Sequence, residues 1–172
     1  MQIIYFSSAL KNIFAIILLW TAIQLIVPLF CLQISDKWLS ASSGFFKTYE
    51  WEKDGEFYNR AFKVKKWKRF LPDGGAVVKS GFKKRHIDVT SKENLRKFNT
   101  ESCRAELVHW LLILPFWIIG FIAPSFVIPV MLLYALVANL PCIIAQRYNR
   151  PRISKLLAKI EARDSKKSKE NL

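Results

Sequence analysis

A glutamate and a histidine lie three residues apart in the string RAELVHW, which covers residues 104–110. On a helix, side chains three positions apart share one face, so the Glu106 carboxylate can reach the His109 ring and orient it. An oriented imidazole is a general base, the group that removes a proton from a nucleophilic hydroxyl. His86 is the other histidine of the chain and competes for this role. The alternative is structural: a glutamate paired with Arg104 and a histidine that only forms an interfacial contact.

A long uncharged block begins directly after Glu106 and contains His109, and its length predicts membrane-spanning helices. From Leu107 to Ala145, 39 residues contain no Lys, Arg, Asp or Glu. At about 1.5 Å per residue they would form roughly 58 Å of helix, about twice the ~30 Å of a hydrocarbon core, so we predict a two-helix hairpin joined near residues 124–125. A second uncharged block from Asn12 to Leu32 predicts another span. A cleaved signal peptide is the alternative for that block. The expected fold is an all-α membrane protein with three transmembrane helices.

The hairpin would return the end of its second helix to the side of His109. We therefore expect a polar cluster there that offers amides and cations to an anionic substrate. Its predicted substrate-binding members are Arg104, Asn139, Gln146, Arg147, Asn149, Arg150 and Arg152. The spacing of Glu106 and His109 also occurs in carboxylate-bridged iron and manganese sites, but other ligands are too few for a complete set, so no metal is predicted.

The distribution of basic residues predicts the orientation. Lys and Arg number 27 in total: one precedes the first span, 17 lie between Gln33 and Glu106, and nine follow residue 145. The positive-inside tendency places both basic segments in the cytoplasm and the N-terminus outside. The net charge of +14 is then explained by contact with anionic lipid, and no zinc-finger or base-stacking motif supports nucleic-acid binding.

Four segments follow from these patterns. Residues 1–33 contain the first span, residues 34–105 a cytoplasmic or interfacial segment, residues 106–146 the hairpin and residues 147–172 a basic tail whose end, 164–170, is predicted to be disordered. Within the second segment, aromatic residues interleave with lysines over residues 50–70, which predicts an amphipathic helix at the membrane interface or against a partner helix. A turn at 72–75 should end it. Thr90 and Glu93, at capping-box spacing, predict the next helix start.

Several short strings carry a resemblance to a known family. They are RAELVHW, Leu114-Pro115, Tyr134-Ala135, Ala138-Asn139, Pro141 and the run QRYNRPR over residues 146–152, and before them Glu52–Asn59, Lys66-Trp67-Lys68, Asp73-Gly74 and Arg85-His86. Together they span about residues 45–157. These strings resemble the glycosyl-4,4'-diaponeurosporenoate acyltransferases of carotenoid-producing bacteria, and QRYNRPR is the most specific of them.

The resemblance implies a multi-pass enzyme of the bacterial cell membrane that esterifies the glucose of a glycosylated carotenoid with a fatty acyl group, giving staphyloxanthin or a related glycolipid. The implied partners are a lipid-like glycosylated acceptor, membrane lipid and an acyl thioester, expected to be acyl-CoA, which acts as a co-substrate, so no cofactor is expected. Such chemistry needs a base and an oxyanion donor. His109 with Glu106, or else His86, would supply the base, and Asn139, Gln146 or Arg147 the donor. Arg150, Arg152 and the lysines at 65–68 would hold donor phosphates, or merely contact anionic lipid. A non-catalytic membrane subunit that binds anionic lipid or a partner enzyme is the alternative.

Overall fold

The computed structural model describes residues 9–71 and 91–170, and within these ranges the regular structure is helical, without strands. Five α-helices are present: α1 (Ala9–Leu32), α2 (Glu56–Phe62), α3 (Val64–Trp67), α4 (Lys92–Ile113) and α5 (Val127–Glu170). Five 3-10 helices join them: Asp36–Trp38, Gly44–Phe46, Glu50–Gly55, Lys68–Phe70 and Leu114–Phe121. Three helical stretches, Leu10–Leu32, Lys92–Phe121 and Val127–Glu170, are long and apolar enough to cross a membrane. The predicted all-α fold with three helices that could cross a membrane is therefore confirmed.

The described residues form two compact units, and the first contains α1 together with residues Glu106–Ile143. Its core is built from Trp20, Ile113, Ile119, Ala123, Ala135 and Ile143. Many other apolar side chains of this unit face outward, as helices in a lipid environment do. The α-helical geometry of α4 ends at Ile113, just before Pro115, because proline lacks the N–H that the next helical turn requires. The chain continues as the 3-10 helix to Phe121 and turns through residues 122–126 into α5.

The second unit contains residues 35–105 and 144–172, with the short helices of the central segment. Tyr58, Val64 and Tyr148 are buried in its small apolar core, against which Trp67 and Ile144 pack. The single amphipathic helix predicted over residues 50–70 is wrong. The stretch instead consists of four short helical pieces, and it is interrupted by left-handed backbone angles at Lys53 (φ 47°), Asp54 (φ 56°), Gly55 (φ 84°) and Lys63 (φ 52°).

The start of α4 and the end of α5 both lie within the second unit. The Ser91 hydroxyl accepts a hydrogen bond from the Asn94 backbone N–H at 3.3 Å and so caps α4. The predicted cap at Thr90, the turn at 72–75 and His86 lie outside the described residues. The tail predicted to be disordered is helical to Glu170. Two ion pairs from α4 reach it, Lys92 with Asp164 (2.5 Å) and Arg96 with Glu161 (2.6 Å).

Candidate active site

A histidine and an asparagine from different helices meet in the first unit. His109 on α4 and Asn139 on α5 are joined through Nδ1 and Oδ1, 2.9 Å apart. Asn139 is almost fully buried, with 3% of its surface exposed, and lies in an otherwise apolar stretch of α5. Sequence-based reasoning placed both residues in one cluster, and the structure brings them into contact.

The orientation of the asparagine determines which ring nitrogen can act as a base. The Asn139 amide nitrogen, Nδ2, donates to the Ala135 carbonyl oxygen one turn earlier on α5, at 2.9 Å. Its Oδ1 is therefore the atom that faces His109, and it accepts the hydrogen bond from Nδ1–H. A neutral imidazole with its proton on Nδ1 has its lone pair on Nε2. The arrangement thus makes Nε2 the basic atom of His109.

Glu106 lies one helical turn before His109 and is completely buried. Its Oε1 accepts a long hydrogen bond, 3.4 Å, from the indole N–H of Trp110. The predicted orientation of His109 by Glu106 stays a prediction, whereas the contact between Asn139 and His109 is present. A histidine oriented by an amide is a group that can act as a general base, and that role of His109 stays a prediction.

Two arginines of the predicted cluster bind the backbone of residues 45–47 in the second unit. Arg147 donates to the carbonyl oxygens of Phe45 (2.6 Å) and Lys47 (3.1 Å), and Arg150 donates to that of Phe46 (3.0 Å). Three consecutive carbonyl groups are thus bound by two guanidinium groups from one helix. Arg150 is 1% exposed. Both side chains therefore stabilise the fold of this unit.

Ser102 connects Arg150 with Gln146, another member of the predicted cluster. Its hydroxyl donates to Gln146 Oε1 at 3.0 Å and accepts from Arg150 Nε at 3.3 Å, while its carbonyl oxygen accepts from Arg150 Nη2 at 3.1 Å. Arg104 is also largely buried and forms an ion pair with Asp36 at 2.5 Å. Sequence-based reasoning missed Ser102, because nothing in its neighbourhood distinguishes it from any other helical serine.

The remaining two members, Asn149 and Arg152, belong to a cationic group around Tyr148. Arg152 lies over the Tyr148 ring at 3.7 Å and pairs with Glu56 at 2.6 Å. Lys68 lies over the same ring at 4.8 Å, and its ammonium group donates to Asn149 Oδ1 at 2.7 Å. Burial lowers the pKa of Lys68, and the nearby charges of Arg152 and Lys65 lower it further. Tyr148 was quoted within QRYNRPR but not singled out, although an aromatic residue between arginines is a typical cation-binding surface.

Glu52 is a third residue that the sequence did not single out. It is fully buried, its carboxylate accepts from the Tyr58 hydroxyl (2.5 Å) and the Tyr49 backbone N–H (2.6 Å), and Arg147 lies at 3.4 Å.

Within residues 9–71 and 91–170 there is no group of three or more His, Cys, Asp or Glu side chains that could share a metal ion.

Comparison with known proteins shows the family to which this chain belongs. A family model described as glycosyl-4,4'-diaponeurosporenoate acyltransferase matches residues 42–159. Proteins of that name from Staphylococcus aureus strains bovine RF122 / ET3-1 and USA300 are each 36% identical over 154 residues, which cover 90% of this chain and 93% of theirs. The protein of strain Newman is 36% identical over 148 residues, 86% of this chain and 89% of its own. No solved structure matches significantly. The chain therefore belongs to the glycosyl-4,4'-diaponeurosporenoate acyltransferase family and is an acyltransferase with three helices long and apolar enough to span a membrane.

Proposed function

We propose that this acyltransferase moves a fatty acyl group from a thioester donor to a glucose hydroxyl of glycosyl-4,4'-diaponeurosporenoate. The acceptor is taken from the name of the Staphylococcus aureus relatives, which are similar over nearly the whole chain. Three apolar helices suit an acceptor with a long hydrocarbon part, because such a molecule is itself confined to the bilayer. The product would be staphyloxanthin or a related glycolipid of the bacterial cell membrane.

We assign the general base to His109 Nε2. The supporting observation is a pair of hydrogen bonds: the Ala135 carbonyl oxygen orients the Asn139 amide, and Asn139 Oδ1 accepts the Nδ1 proton of His109. A base must present its lone pair toward the hydroxyl it deprotonates, and a ring free to rotate would do so only part of the time. Asn139 is thus a positioning residue in this proposal. His86 remains the competing base.

The proposed step is a simple acyl transfer. Nε2 of His109 takes the proton of the sugar hydroxyl as its oxygen attacks the thioester carbonyl carbon, forming a tetrahedral intermediate with a negatively charged oxygen. The C–S bond then breaks and the carbonyl re-forms. The thiolate leaves and receives the proton from the imidazolium. The products are the sugar ester and the free thiol, with no oxidation or reduction. Asn139 is not assigned as the oxyanion donor, because both polar ends of its amide have partners.

The orientation predicted from the basic residues is part of the proposal. The second unit contains most of the lysines and arginines and would lie in the cytoplasm, where acyl thioesters are made. Glycosylated acceptor and donor would then reach the enzyme from the same side of the membrane.

Two substitutions at one position test the base. His109→Asn places an amide nitrogen where Nδ1 lies and so retains a donor for Asn139, but it has no basic nitrogen. His109→Gln has an amide nitrogen near the position of Nε2 and is likewise not basic. Both should reduce ester formation by about 10²–10⁴-fold in a host that makes the glycosylated carotenoid but lacks its own acyltransferase, with pigments identified by mass spectrometry.

The control for folding is that each variant reaches the wild-type level in the membrane, as measured by immunoblotting. Undiminished ester formation by His109→Asn would move the base to His86, and His86→Ala would then abolish the product. No ester with well-expressed wild type would refute the acceptor and would favour a non-catalytic subunit.

A further inference from the structure

The cationic group around Tyr148 has more positive charge than its internal partners neutralise. Lys68 donates to Asn149, which is a neutral amide, and lies over the Tyr148 ring. Among the residues that the structure describes, no carboxylate pairs with Lys68. Arg152 has Glu56 as its partner, so this group of two cations and one carboxylate retains a net positive charge.

The positive charge of Lys68 is electrostatically unfavourable in this arrangement. Its pKa is lowered by burial first and then by the charges of Arg152 and Lys65. Partial burial of a cation beside other cations is unfavourable unless an anion completes the arrangement. The side chains nevertheless stay together, because both cations lie over one tyrosine ring.

The chemistry of the group selects among anions. An ammonium group, a planar guanidinium group and an amide together match the several oxygens of a phosphate better than the two oxygens of a carboxylate. Neighbouring Lys65 raises the local positive potential and favours an anion with more than one charge. A diphosphate has both properties.

We propose that Lys68, Arg152 and Asn149 form a phosphate-binding site for the coenzyme A part of the acyl donor. This inference rests on the proposed acyl transfer, because that reaction supplies a phosphorylated thioester. It deepens the proposed function by naming the donor as a nucleotide thioester and by locating its phosphate groups on the Tyr148 platform.

The test measures binding of coenzyme A without an acyl group to the full chain in phosphatidylcholine nanodiscs. Lys68→Gln removes one cation of the site. Asn149→Asp places a carboxylate 2.7 Å from the lysine ammonium group and so supplies an internal anion that competes with the ligand. Lys159→Gln is the matched control, since Lys159 is exposed, lies outside the group and its substitution makes the same change in net charge. The first two should weaken binding about tenfold, as expected for one charge-assisted hydrogen bond, and the control less than twofold.

The outcomes separate the two proposals. Equal coenzyme A affinity in wild type and Lys68→Gln would overturn the phosphate site, and ester formation from acyl-CoA by both would leave the acyl transfer intact. Binding that depends on Lys68 in a chain that forms no ester would uphold the site and refute the acyl transfer. A second arm adds phosphatidylglycerol to the nanodiscs: if Lys68→Gln reduces retained phosphatidylglycerol while coenzyme A does not bind, a lipid headgroup occupies the site and the donor assignment is wrong.

Discussion

Arg152 contacts Tyr148 in two ways, with its guanidinium group 3.7 Å from the centre of the ring and its Nη1 donating to the Tyr148 carbonyl oxygen at 2.6 Å. That carbonyl oxygen is also the nearest atom to the side of Gly55 on which a side chain would grow, at 2.8 Å from the position of an added Cβ. The backbone at Gly55 and the cationic group at Arg152 therefore depend on one another.

Gly55→Ala should lower the thermal midpoint of the purified protein in detergent. An alanine there has to adopt φ 84° and also displace the Tyr148 backbone, for which we expect a loss of about 1–3 kcal/mol. Gly44→Ala is the matched control, because Gly44 also has a positive φ (35°) but nothing lies within 4 Å of the added Cβ. Equal losses in the two variants would mean that backbone strain alone, and not contact with Tyr148, requires the glycine.

Substitution of Asn139 should separate positioning from folding. Asn139→Ala removes the acceptor for the Nδ1 proton of His109, and we expect kcat to fall about 10–100-fold while the donor KM stays within twofold. Asn139→Asp keeps an acceptor oxygen and should recover most of that loss. If Asn139 serves only to join two helices, the two variants will lower the thermal midpoint and leave kcat per folded molecule unchanged.

Arg150 should behave as a structural residue. Arg150→Met leaves the carbonyl oxygens of Phe46 and Ser102 without their donors inside a buried region, which should cost about 2–4 kcal/mol and lower the yield of folded protein. Arg150→Lys keeps the charge but loses the forked geometry, so part of the loss should remain. A folded Arg150→Met variant with a wild-type midpoint and a raised donor KM would instead support the substrate-binding role predicted from the sequence.

Glu56 should make the stability of the second unit sensitive to acid. Its pKa is lowered by the hydrogen bond from Asn59 foremost, and by the charges of Lys65, Arg152 and Arg60, while burial opposes the shift. A carboxyl group whose pKa is lower in the folded state stabilises that state above the pKa of the unfolded chain, and this contribution is lost as pH falls through the folded value. The midpoint difference between wild type and Glu56→Gln should be largest near about pH 7 and shrink below about pH 4. A difference that is constant over this range would mean that the ionisation of Glu56 contributes nothing to stability.

The spanning helices could be predicted because their signal is local and large. An uncharged block as long as Leu107–Ala145 has few alternatives to a pair of spans. The same hairpin logic brought His109 close to Asn139, since a short connection forces the two helices to pack side by side. For this part of the site, the spacing of the two residues along the sequence was therefore enough to predict that His109 and Asn139 lie close together.

The rest depended on contacts that spacing does not encode. The left-handed stretch at residues 53–55 occurs in a string whose aromatic and basic alternation favours one helix, and it is compatible with the fold only because Gly55 lies against the Tyr148 backbone. The direction of the Asn139 amide depends on the Ala135 carbonyl oxygen, which any residue in a helix would offer. Neither Arg147 nor Arg150 could be assigned to the carbonyl groups of residues 45–47 from the sequence, since these acceptors are backbone atoms that any residues would offer.

The last turns of α5 are held by a different kind of force from the rest of that helix. Lys92 and Arg96 bind Asp164 and Glu161 through partly exposed side chains, and the apolar core of this unit lies elsewhere. Ion pairs of this kind are screened by dissolved salt, with a Debye length of only about 8 Å at physiological ionic strength. We therefore expect the last turns of α5 to fray more readily in concentrated salt than in dilute buffer, while the buried part of the same helix responds less.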